Sequence, residues 1–516
     1  MGFHIGEYML KAMSKFILNI FLLISIIFLA FVVRVISIGH GYPFIFHPDE
    51  PAVMSRSMGL RFDANPGHFD WPHLHFYINY YAYSAFIKFR GLIQTLGFQD
   101  ELAGAFPVLW RDPLIFYYIS RFIAVLMGTF TLIPIYLSLK TFFSKNIGLI
   151  GTLIFAFLPH HVHTSAYALI DVPMTFWLSW AVYFSVQIIK SNSWKAYILS
   201  GLFIGLAAST KYNAGLFSLI VPFALLIRIL EKNSKVLEIQ NLKNLIYSGI
   251  FAFLGFVIGT PYFIWNFDTF IRTDGPAGAL WQFSNVGKVE FSQQLFQFYD
   301  AFSNILLNDL SVSVIILFVF SVLIAIYALF KNKNYRVLYF VIPALAVIFY
   351  ISGFEKNRSH YFIPSYLFIV LSIASSLYYV YSTKLKKEII STVLAFLLIV
   401  PIYYSIENAL ILKQKDTRVL LYEYLLSNID TKDVIIYDSN VFKPVIDKFS
   451  SNRTKKTLDK DELENFDLLL INIPSEELKD FENNIHDKSF VKSDYILKKE
   501  ISNSFRRGPN IYVYSK

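Results

Sequence analysis

Along this chain apolar residues arrive in blocks of roughly twenty, separated by short polar knots, rather than in the strict alternation of a closed β-barrel. A helix of that length crosses a hydrocarbon core of about 30 Å. The blocks predict about eleven membrane-spanning helices, over residues 16–38, 114–139, 146–161, 172–189, 196–210, 213–230, 244–265, 306–330, 336–352, 360–382 and 388–409. The first block follows Lys11 and Lys15 as a signal peptide would, but it is long and no small-residue cleavage site follows, so an uncleaved span is expected.

Basic knots fix the expected orientation. With a cytoplasmic amino terminus, Lys140/Lys145, Lys190/Lys195, Arg228/Lys232/Lys235, Lys331/Lys333/Arg336 and Lys384/Lys386/Lys387 all fall inside. Residues 39–113 then form a long outer loop holding HPDE, FDWPH and HFYINYYAYSAFIKF. The last of these ends in Lys88 and Arg90 and reads as a helix lying in the headgroup zone. A second outer loop covers about 266–304. Beyond residue 410 the pattern changes to an amphipathic helix, an alternating strand, charged segments and a final strand, NIYVYS. The expectation is an all-α polytopic membrane domain over 1–410 and a small soluble α/β domain over 411–516, lying outside.

Composition agrees with the pattern: 55% of the 516 residues are hydrophobic and 16% charged, a balance foreign to soluble chains of this size. Without cysteine, disulfides, thiolate metal sites and cysteine nucleophiles are excluded. The net charge of +9 sits in the juxtamembrane knots, so it argues for topology and against nucleic-acid binding.

Against this apolar background a few carboxylates stand out. Asp49 and Glu50 lie between Pro48 and Pro51 after the first span, Asp70 lies in FDWPH, and Asp171 opens the fourth span beside Pro173. Each has a structural alternative as a turn or helix cap. In the expected topology, however, all share the outer face. Lys211 in GLAASTKYNAGL and Arg358, His360 and Tyr361 in NRSHYFIP fall on that face too, where snorkelling or aromatic-belt packing is the alternative to anion binding. Sugar transfer from a lipid phosphate to a hydroxyl uses a base for the acceptor proton and donors for the departing phosphate, which are the residue types present. His160, His161 and His163, and His47, His73 and His75, could ligate a divalent metal, but none shows a recognised ligand spacing and interfacial packing is the competing reading.

Taken in order from about Arg34 to Pro364, these segments resemble the C-type (GT-C) superfamily of membrane glycosyltransferases, in particular glycosyltransferase family 39, which includes protein O-mannosyltransferases and lipid A aminoarabinose transferases. The motifs are Asp49-Glu50, DWPHLHFYI, SRFIAVLMGTFTLIPIY, PHHVHTSAYALIDVPMTFW, GLAASTKYNAGL and RSHYFIP. The resemblance implies a GT-C-like helical bundle with an outer cavity, a dolichyl- or undecaprenyl-phosphate sugar donor, and transfer with inversion to a protein, lipid or glycan acceptor. It implies Asp49 as catalytic base with Glu50 beside it, Asp70 and Asp171 lining the cavity, and Lys211 and Arg358 holding the lipid phosphate. It also implies a multi-pass protein of the plasma membrane with an extracytoplasmic site. WPHLHFY departs from the commoner double-proline motif, which bears on the acceptor class, and no WWD-type motif is present. The alternative from another class is a transporter or lipid flippase, which would show internal repeats or midplane-broken helices; no convincing repeat is visible.

Overall fold

The computed structural model describes residues 2–232, 238–332, 335–382, 386–430, 433–449, 453–456, 467–472, 496–503 and 507–515. Its chain divides into two units. The larger comprises Met1–Val35 and Ala52–Ile406, the smaller Ile36–Pro51 and Glu407–Lys516. This differs from a division at residue 410, because Ile36–Pro51 belongs with the carboxyl-terminal unit. The reason is aromatic packing: Phe44 meets Tyr422 edge-on at 5.0 Å and Phe46 lies 3.7 Å beneath the Arg418 guanidinium.

In the larger unit every expected span falls on apolar helix. Among the described residues eight helices are long and apolar enough to cross a membrane, or nine if the bent pair Lys145–Ala156 and Pro159–Ser165 is one span; Trp194–Ala208 and Leu338–Ile351 are shorter apolar helices. The chain is a multi-span membrane protein. Ser359–Tyr381 occupies the centre, buried at every position from Ile363 to Leu377. Ile17–Val35 and Ile239–Gly259 instead present large apolar side chains outward, as lipid-facing helices must.

Two local features position the site. The first is the 64° bend between Lys145–Ala156 and Pro159–Ser165. Pro159 has no N–H to continue the ladder, so the preceding carbonyls lose their helical partners. Arg34 donates to the Ala156 carbonyl at 2.9 Å and Ser405 to that of Phe157 at 2.8 Å, which satisfies them inside an apolar bundle. The second is the close crossing of Trp194–Ala208 on Ile239–Gly259. A Cβ on Gly201 would lie 2.1 Å from the Ser248 carbonyl oxygen, and one on Gly205 2.1 Å from that of Ala252. The glycines, four apart, let the two backbones touch.

In the smaller unit the helix Thr417–Asn428 is capped by the Asp416 carboxylate, which accepts from the Arg418 amide at 2.9 Å. Strands β1 (Val434–Tyr437), β2 (Arg453–Lys456), β3 (Leu468–Ile471), β4 (Ile496–Ile501) and β5 (Ile511–Ser515) form one sheet in the order β2-β1-β3-β5-β4. The first three are parallel neighbours, and β5 runs antiparallel to β3 and β4. Leu421, Leu425, Ile435, Leu470 and Val513 form its core.

Candidate active site

The helices of the larger unit carry their charges asymmetrically. Lys140, Lys145, Lys190, Lys195, Lys232 and Lys331 mark one set of helix ends. At the opposite ends stand His160, Asp171, Lys211, Asp309 and Ser359–Tyr361. Each of these residues sits where a helix begins, ends or breaks, so its side chain is released from the regular lattice of the bundle.

Asp171 is the first residue of Asp171–Ser191, where a carboxylate meets the positive end of the helix dipole. Lys211 follows the end of Trp194–Ala208 in extended conformation, and its ammonium reaches Asp171 Oδ1 at 2.5 Å. The pair is largely withdrawn from water, with side-chain exposures of 6% and 17%. Lys211 Nζ also stands 5.1 Å from the Tyr361 ring centre, and His360 lies within electrostatic range of Asp171, Lys211 and Arg358. Four residues singled out in the sequence, Asp171, Lys211, His360 and Tyr361, are thus brought together. Arg358 immediately precedes the turn that carries two of them, is exposed, and makes no ion pair among the described residues.

Asp70 is placed differently. Its two oxygens accept from Arg56 at 2.8 Å and from His68 at 2.6 Å, and Arg56 stacks over Trp71 at 5.0 Å. Burial alone would raise the Asp70 carboxyl; the His68 and Arg56 hydrogen bonds and charges outweigh it and hold it below the usual carboxylate range. The FDWPH segment is tied to the bundle beside Lys211: Tyr212 donates to the Phe69 carbonyl at 2.7 Å, and the Leu74 amide donates to that of Ser209 at 3.0 Å. Asp70 therefore fastens a clamp next to the Asp171–Lys211 pair, with both of its oxygens already engaged.

Asp49 and Glu50 stand on the smaller unit. The Asp49 amide donates to His47 Nδ1 at 3.2 Å, closing the HPDE turn, and Glu50 opens the helix Glu50–Gly59. Asp49 is half-buried and Glu50 fully buried.

Three consecutive-looking histidines have three different surroundings. His160 Nδ1 is 3.3 Å from Asp309, His161 Nδ1 is 3.2 Å from Arg34, and His163 packs on Tyr167 with ring centres 5.1 Å apart. A helix rotates about 100° per residue, which turns His161 away from His160 and His163, whose rings share a side with centres 6.3 Å apart. Among the described residues no group of three or more His, Asp or Glu side chains could hold a metal ion. Burial pushes His73 and His75, in and beside the FDWPH segment, down to about 4, which disfavours a proton on either imidazole.

Asp309 is not among the residues singled out in the sequence. It lies at the edge of an apolar block, yet it is buried and accepts from Ser359 at 2.5 Å and Tyr366 at 2.6 Å besides facing His160. The signal was present as an acidic residue inside LLNDLSVSV, a context that is costly in a membrane.

Comparisons with known proteins agree with this architecture. Residues 119–265 match the family model for dolichyl-phosphate-mannose-protein mannosyltransferase. Dolichyl-phosphate-mannose–protein mannosyltransferase 1 of Saccharomyces cerevisiae is 27% identical over 185 residues, which are 34% of this chain and 22% of that protein. The chain thus matches under a quarter of the yeast relative's length. Among solved structures, ArnT from Cupriavidus metallidurans in the apo state superposes with a TM-score of 0.52 at 9% identity, covering 98% of both chains. The oligosaccharyltransferase AglB from Archaeoglobus fulgidus, in complex with an inhibitory peptide and a dolichol-phosphate, gives 0.50 at 12% identity, over 90% of this chain and 71% of that one. The fold is the one ArnT and AglB share. In sequence the chain resembles the C-type membrane glycosyltransferases, and among them glycosyltransferase family 39.

Proposed function

We propose that this protein transfers a sugar from a polyprenyl-phosphate carrier to a hydroxyl group of a protein, lipid or glycan, at the extracytoplasmic face of the plasma membrane. The observation that carries the reading is the gathering of Lys211, Asp171, His360 and Tyr361 at the end of the bundle opposite the basic knots, in a fold shared with ArnT and AglB. Cations and hydrogen-bond donors at a water-poor helix end are suited to hold a phosphate whose prenyl chain stays in lipid. Lys211, Arg358, His360 and Tyr361 take that role. Asp171 keeps Lys211 oriented, and Asp70 holds the clamp beside it.

Asp49 serves as the base that removes the acceptor proton, with Glu50 beside it, in a single displacement that inverts the sugar. Such a base works because charge builds at the acceptor oxygen only as attack proceeds. AglB was solved with a dolichol-phosphate, which supports this class of carrier. The test is Asp49→Asn. It should leave expression and carrier binding intact and abolish transfer; transfer at near wild-type rate removes Asp49 from the role.

A further inference from the structure

The Asp309 network is not used by the function proposed above, and it is built with unusual backbone. Residues Ala301–Ile305 form a π-helical turn, Leu306–Leu310 a single helical stretch, and Ser311 has φ +88° and ψ 155°. That conformation is strained for any residue with a Cβ and persists only where surrounding contacts over-determine it. Two residues before Ser311, contacts from separate elements meet at one carboxylate. Asp309 Oδ2 accepts from Ser359 Oγ at 2.5 Å and Tyr366 Oη at 2.6 Å, while Oδ1 faces His160 Nδ1 at 3.3 Å. Three separate elements are joined there: the bent helix Pro159–Ser165, the stretch Leu306–Leu310 and the span Ser359–Tyr381.

A carboxylate only accepts, so the proton between Asp309 and His160 is carried on Nδ1. That fixes the ring and directs Nε2 toward Ser359, whose Oγ is 3.4 Å away. His160 is in turn close enough to Asp171 and His360 for its charge to act on both. Ser359, the second residue held by Asp309, stands between Arg358 and His360 in the chain. One buried acid therefore sets both the imidazole and the turn that bears the remaining donors.

We propose that Asp309 is a positioning residue for the anion-binding half of the site, and that His160, oriented by it, is an additional donor to the phosphate of the carrier lipid in its imidazolium form, with Nδ1–H held by Asp309 and Nε2–H given to the phosphate. The inference rests on the reading that this lipid is a polyprenyl phosphate. Asp309 does not touch the phosphate; it acts through His160 and Ser359.

The test uses the full-length protein in nanodiscs, titrated with undecaprenyl phosphate and, as the uncharged control, undecaprenol. Asp309→Asn and His160→Gln should each weaken undecaprenyl phosphate binding about tenfold, the loss of one charge-assisted hydrogen bond, with undecaprenol binding unchanged. The double variant should be no weaker than the weaker single one, because both changes remove the same interaction. Tyr366→Phe, which deletes one donor to Asp309 and leaves its pairing with His160, should bind within about twofold of wild type. Wild-type affinity in His160→Gln, or losses that multiply in the double variant, overturns the inference even if Asp309→Asn does not fold. A wild-type protein that does not distinguish the two lipids sinks the proposed function instead.

Discussion

Replacing Lys211 by Met separates what the Asp171–Lys211 pair does for the fold from what it does for the carrier. The pair is joined at 2.5 Å, with 6% and 17% of the side chains exposed. Removing the ammonium leaves the Asp171 carboxylate withdrawn from water beside apolar helices. Breaking a buried pair in this way costs about 3–5 kcal/mol, because the remaining charge has lost its partner. Removing both charges, as Asp171→Asn with Lys211→Met, leaves no uncompensated charge and should recover most of that loss. Thermal unfolding of the purified proteins in detergent reads the first effect, and sugar transfer reads the second. Lys211→Met should be clearly less stable than wild type, and the double variant should approach wild-type stability while transferring no sugar. A double variant as unstable as the single one would mean that Lys211 is chiefly a packing element. One that is both stable and active would remove Lys211 from phosphate binding.

Two further outcomes follow from packing and titration. Gly205→Leu puts side-chain atoms where a Cβ would already lie 2.1 Å from the Ala252 carbonyl oxygen and 2.7 Å from the Phe256 amide nitrogen. Backbone cannot yield as a side-chain tip does, so a loss of at least about 1–3 kcal/mol in thermal stability is expected. Gly249→Ala, with nothing within 4 Å, should be neutral; equal behaviour of the two would refute the close-crossing account. In the smaller unit, burial raises the Asp438 carboxyl to about 6, opposed in part by the Asn472 amide that donates to it at 2.8 Å. A raised folded value means the native state keeps a proton between about pH 4 and 6 that the unfolded chain has released, so stability falls as pH rises through that window. Asp438→Asn should therefore slow hydrogen exchange of β1 and β3 at pH 7 by about 1 kcal/mol, a figure discounted for partial exposure, with the gain shrinking toward pH 4. Faster exchange at pH 7 would contradict this.

The spans were legible because apolar length and basic knots are local properties of the chain, and every expected block lies on helix. The two short helices show the limit of that reading: Trp194–Ala208 and Leu338–Ile351 are apolar but shorter than a crossing segment. Asp171, Lys211, His360 and Tyr361 could be singled out because each interrupts an apolar context at a span end. Their mutual contacts could not, since the carboxylate and its ammonium are 40 residues apart. Asp309 was missed for a related reason. Its partners are 50, 57 and about 150 residues away, and alone it reads as the polar edge of a span. Arg56 was likewise unmarked, because pairing with Asp70 depends on how the loop folds back over Trp71. The grouping of Ile36–Pro51 with the carboxyl-terminal unit rests on Phe44 and Phe46 meeting residues far along the chain. No periodicity announces such a contact.

Direct transfer is the sharpest check. Purified wild-type protein in proteoliposomes, supplied with labelled sugars on dolichyl phosphate or undecaprenyl phosphate and with extracts offering protein, lipid and glycan hydroxyls, should move label from at least one carrier to an acceptor and leave free polyprenyl phosphate behind. Label that stays on every carrier, or crosses the bilayer still attached to its lipid, would contradict a transferase and favour a flippase.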